Sequence, residues 1–125
     1  MKKMILASLL VNVAVLIPVC AGLLADASWA ADVYGGATAA RGILLSVYGA
    51  ILVVSMGLLF NREPMMVAPL LLVQVLYKFT TPFTVGSFAN PVVISNIAIA
   101  ALHLTTLCLI FSQRQRTTAT KVAVR

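Results

Sequence analysis

Four apolar stretches, residues 4–25, 41–60, 65–81 and 91–112, decide what this chain can fold into. Each is close to the roughly 17–25 residues an α-helix needs to cross a hydrocarbon core. Lipid offers the backbone no hydrogen-bond partner, so a spanning stretch is helical whatever its content of valine and isoleucine. Composition agrees: 62% of the 125 residues are hydrophobic and 10% are charged. A soluble domain has about 45–50% apolar and about 25% charged residues, and a globule this small cannot hide so much apolar surface from water. A soluble domain and a disordered chain are both excluded. The sequence predicts an all-α fold, a transmembrane four-helix bundle in a single integral membrane domain, with a basic tail at 113–125.

The breaks between stretches carry helix punctuation. Asn61-Arg62-Glu63-Pro64 reads as a tight turn with Pro64 opening the third helix, and Asn90-Pro91 repeats the device for the fourth. Thr80-Thr81-Pro82 predicts the end of the third helix, since proline disfavours helical geometry in the residue before it. Residues 26–40 hold the only tryptophan, and Trp29, Val33 and Tyr34 suit a short interfacial helix. Seven of the nine basic residues, Lys2, Lys3, Arg62, Arg114, Arg116, Lys121 and Arg125, fall on one side, leaving Arg41 and Lys78 on the other. Under the positive-inside rule this bias predicts both termini in the cytoplasm, N-in/C-in, in the cell inner membrane. Lys2-Lys3 before an apolar run also has the outline of a signal peptide, but the run exceeds the roughly 7–15 residues of a signal core, so retention is expected.

Chemistry, where readable, sits in polar residues within the spans, because such residues are costly in lipid. At about 1.5 Å per residue, Asn12, Gln74 and His103 all lie about 12–14 Å from the cytoplasmic end, near the midplane. Two accounts fit this layer: hydrogen-bonded glue between helices, which is the commoner use of such residues, or a site for a polar ligand or proton. Nearer the opposite face, Lys78 and Asn96 lie at about 18–24 Å with Arg41 just above, a candidate basic vestibule for an anionic headgroup or small anion. The plainer reading of Lys78 is snorkelling to the headgroups. Gly42, Ser46 and Ala50 recur every four residues, a small-residue face that permits close helix contact within the chain or with another subunit.

Cys20 and Cys108 lie at different depths, too far apart for a disulfide, and neither has metal-binding spacing. No catalytic or cofactor motif is present, and no metal site is expected. The chain has the length of the small multidrug-resistance transporters, but none of its three carboxylates lies within a span. The net charge of +6 reports membrane orientation rather than nucleic-acid binding. A first span, a connector carrying Trp29, and Arg41-Gly42 opening a glycine-containing second span together resemble the DoxX-like small inner-membrane proteins. That resemblance implies an association with quinone-linked redox enzymes. The residues themselves predict a non-catalytic accessory or self-associating subunit. Alternatives are a quinone-linked redox-associated subunit and a small anion or solute carrier. The expected partners are the bilayer, anionic lipid at the basic tail, and a homo-oligomer or larger membrane complex.

Overall fold

A computed structural model describes residues 1–124, which are almost entirely helical. The helices are α1 (Lys2–Leu24), α2 (Ser28–Tyr34), α3 (Ala39–Phe60), α4 (Pro64–Val85) and α5 (Pro91–Val124). All but α2 are long and apolar enough to cross a membrane. The start signals act as read. Pro64 opens α4 behind Glu63, whose carboxylate accepts from the Met65 N–H at 3.3 Å. Asn90 Oδ1 accepts from the Val92 N–H at 2.8 Å at the entry to α5.

Two ends differ from the sequence expectation. The third span does not stop at residue 81: α4 runs through Pro82 to Val85 and is closed by Gly86 in the left-handed region at φ 75°. Pro82 removes only the N–H that would bond the Lys78 carbonyl. The hydroxyls of Thr80, Thr81 and Thr84 donate back to carbonyls of the preceding turn at 2.8–3.2 Å, and the helix continues. The basic stretch from 113 to 124 continues α5 past the fourth predicted span, without a break to Val124. Its Gln, Arg, Ala and Lys residues favour helix, and neither Gly nor Pro interrupts them.

The tightest pairings are α1 with α3 and α4 with α5, which makes two antiparallel hairpins joined mainly through α1 and α5. Buried positions recur every three and four residues, as in Tyr48, Ile51, Ser55 and Leu58 on α3 and Val93, Asn96, Ala100, His103, Leu107 and Ile110 on α5. This is the spacing of helices crossing at shallow angles in a bundle. One apolar cluster, including Ile5, Leu9, Leu71, Leu107 and Ile110, fills the end near the α3–α4 turn. A second, including Leu16, Leu23, Ala30, Tyr48 and Ile51, fills the end near α2. Large side chains such as Phe60 and Phe83 point outward, where a bilayer would receive them.

α2 folds back onto α1 through a close approach. The Trp29 indole lies against Gly22 so tightly that a Cβ there would clash with the ring. Gly22 leaves the space for the ring, which anchors α2 across the end of the bundle.

Candidate functional site

A polar layer separates the two apolar clusters. Asn12 on α1 is its centre: its Nδ2 donates to Ser55 Oγ on α3 at 3.1 Å. Its Oδ1 accepts from His103 Nε2 on α5 at 2.9 Å. Because the Asn12 amide presents its oxygen to the ring, the proton of a neutral His103 sits on Nε2, leaving Nδ1 as an acceptor without a partner. One turn away, Ser8 and Thr106 hydroxyls lie 2.8 Å apart. Thr106 donates to the Leu102 carbonyl at 3.1 Å, so Ser8 is the donor of the pair. These contacts tie α1 to α5, where the hairpins meet.

Of the three residues expected at midplane depth, the structure joins Asn12 and His103 and leaves Gln74 apart. Gln74 is 1% exposed, yet neither its amide oxygen nor its nitrogen has a protein partner. Ser55 takes the third place instead. The signal for it was its seven-residue spacing from Tyr48, which puts both on one stripe of α3.

The expected basic vestibule divides into two separate places. Lys78 is 5% exposed, and its Nζ donates to Asn96 Oδ1 at 3.1 Å while lying 4.9 Å from the centre of the Tyr77 ring. It is buried rather than snorkelling. Asn96 Nδ2 in turn donates to Thr81 Oγ1 at 3.2 Å. Arg41 belongs elsewhere. Its guanidinium bonds the Asp26 carboxylate, and its Nη1 donates to the Gly35 carbonyl at 3.0 Å. Asp26 and Gly35 both precede α3, so the connector folds over Arg41, which takes no part in the wall formed by Tyr77 and Asn96.

Asn96 and Tyr77, but not Lys78 behind them, line a cavity of about 560 Å³ at the end of the bundle where α2 lies. All three tyrosines of the chain, Tyr34, Tyr48 and Tyr77, line it, together with Thr80, Thr81, Thr84, Asn90 and Asn96. Val33, Leu44, Val85 and Val92 complete the wall. Tyr34 and Tyr48 meet edge to face with centroids 6.0 Å apart, and the Tyr77 hydroxyl is buried without a partner. Burial pushes the Tyr34 phenol up, with Tyr48 beside it adding to the shift, so it remains a donor at neutral pH. Asn90 Nδ2 donates to the Val33 carbonyl at 3.0 Å and pins α2 over the opening of α5. The sequence did not place the tyrosines together, because they come from three helices. The volume falls within the roughly 300–1,000 Å³ of small-molecule pockets.

Gly42, Ser46 and Ala50 are exposed, and no atom lies within 4 Å of where a Gly42 Cβ would sit. Within this chain they form no packing face. α3 meets α1 through the stripe that carries Tyr48, Ile51, Ser55 and Leu58, and the small residues lie off that stripe. Both cysteines are free, and Cys108 is exposed. Among the described residues, no group of three His, Cys, Asp or Glu side chains comes together that could hold a metal ion.

Comparison with protein-family models, curated proteins and solved structures gives no match to this chain.

Proposed function

We propose that this chain is a small, non-catalytic, multi-pass protein of the cell inner membrane that binds a small ligand in the tyrosine-lined cavity. The observation that carries the reading is the convergence of three tyrosines, three threonines and two asparagines from four helices on one cavity of about 560 Å³. The threonines bond carbonyls of their own helix and Asn90 caps α5, but the Tyr77 hydroxyl is buried without a partner, which is costly in a membrane bundle and leaves a donor for a ligand. The layout is similar to that of DoxX-like proteins, and a quinone is one ligand of suitable size. The chain's full length, reconstituted in discs of zwitterionic lipid and titrated with dodecanol, should give a saturable change in emission from Trp29, which shares α2 with the wall residues Val33 and Tyr34. Val92→Phe, which fills the cavity, should abolish the change. A linear response identical in both proteins would reject a binding cavity.

The seven-to-two distribution of basic residues supports an N-in/C-in orientation, with α2 and the cavity on the outer side. In a background with Cys20 and Cys108 replaced, Ser28→Cys should react with an impermeant thiol reagent only from outside, and Thr120→Cys only from inside. The opposite pattern would invert the proposed topology.

A second reading, an accessory or self-associating subunit, is favoured by Gly42, Ser46 and Ala50, which lie exposed on α3. Such residues allow close backbone approach by a helix of another subunit. At the other end of the bundle, Lys2, Lys3 and Arg62 surround a second cavity of about 340 Å³. Their charge, with that of the basic end of α5, suits contact with anionic lipid.

A further inference from the structure

Among the described residues, Lys78 is a buried cation without a counter-charge. An ammonium has three N–H donors, and the structure gives Nζ a single acceptor, Asn96 Oδ1. The carboxylates lie elsewhere: Asp26 is on Arg41, Glu63 caps α4, and Asp32 is exposed on α2. No carboxylate lines the cavity. Removing a positive charge from water is costly unless a partner of opposite sign and further hydrogen bonds compensate it. The missing partner has a place to sit. Asn96 and Tyr77, the two side chains in contact with Nζ, are themselves part of the cavity wall. Tyr77 brings a buried hydroxyl with no acceptor. The second proton of Asn96 Nδ2 is a further donor, because the first goes to Thr81. Val33, Leu44, Val85 and Val92 supply the apolar part of the wall.

We infer that the cavity takes an amphiphile with an anionic head, the head lying against Asn96 and Tyr77 in front of the Lys78 ammonium and the apolar body along the valine and leucine wall. This rests on the reading of the cavity as a binding site, and it adds the chemical class of the ligand. The anion supplies the charge that the protein leaves out, and the donors carried by the wall residues Asn96 and Tyr77 select an acceptor-rich head over a hydroxyl. Asn96 takes two roles in this arrangement. Its oxygen steadies Nζ while its amide protons, polarised by the adjacent cation, point away from it. Arg41, already neutralised by Asp26, does not contribute.

The probes are dodecanoate, dodecanol and acetate, titrated at pH 7 into the full chain in zwitterionic discs, with Val92→Phe as the filled-cavity control. Dodecanoate should bind at least about tenfold more tightly than dodecanol, the scale of an ionic contact in a partly desolvated site. Acetate should not compete. Lys78→Met should remove the preference, so that the variant binds dodecanoate and dodecanol alike, and Lys78→Arg should keep part of it. Equal affinity of the wild-type chain for dodecanoate and dodecanol overturns the anionic head but leaves the cavity reading standing. Competition by acetate as strong as by dodecanoate overturns the amphiphile. Absence of filled-cavity-sensitive binding of either long-chain probe removes both the inference and the reading under it. Should Lys78→Met fail to fold, the wild-type preference and its retention in Lys78→Arg decide the matter alone.

Discussion

Asn12→Leu should destabilise the bundle by about 1.5–3 kcal/mol, because it strands two buried groups at once. His103 Nε2 loses its acceptor and Ser55 Oγ its donor, and both residues are fully buried. Single interhelical hydrogen bonds in membrane proteins average only about 0.6 kcal/mol, so most of the loss comes from polar groups left without partners. The double variant Asn12→Leu/His103→Leu should therefore lose less than the sum of its two single variants, since removing both members of a buried pair is milder than removing one. Thermal or denaturant unfolding in mild detergent measures this. Strict additivity of the two single losses would show that Asn12 and His103 do not act together.

The second large effect is expected at the connector. Asp26 occupies the left-handed region at φ 52°, a conformation that Asp and Asn tolerate better than most residues. Asp26→Asn thus keeps the backbone preference and removes only the charge that faces Arg41. The Arg41 side chain is 6% exposed and that of Asp26 63% exposed, so the cation bears most of the desolvation. A loss of about 1–3 kcal/mol follows, below that of a fully buried pair because water still reaches the carboxylate. Asp26→Asn/Arg41→Met should recover much of it, since no uncompensated cation is left. Wild-type stability in the single variant would show that water or headgroups, and not Asp26, carry the Arg41 charge.

The architecture was legible in the sequence because bilayer thickness and backbone hydrogen bonding leave a long apolar stretch only one conformation. Helix starts were legible too, since Pro64 and Asn90 act through local chemistry. Ends were less so. Pro82 was read as a stop, but threonine hydroxyls and the Gly86 cap carry α4 past it. Helix facing was the least legible feature, because a helix that is apolar all round carries no stripe to show which side is inward. Hence Gly42, Ser46 and Ala50 suit a helix contact within the chain or with another subunit, and within the chain α3 meets α1 through Tyr48 and Ser55 instead. A depth ruler could bring Asn12 and His103 to one level, yet it also set Arg41 beside Lys78. Rotation about the helix axis and the folding of the connector decide such neighbours, and neither is written as a period.

The unbroken course of α5 sorts the basic residues at its end by height. If the hydrocarbon boundary lies near Ser112, the helix from Gln113 to Val124 rises about 18 Å beyond it. The headgroup layer of one leaflet is only about 5–8 Å deep. Arg114 and Arg116 therefore stand within reach of phosphates, while Lys121, about 13 Å up, clears them and faces water. A flexible tail would lay all of its cations down on the lipid. A stiff one divides them into an anchor at the waterline and a charged tip held above it, free to meet something other than the membrane.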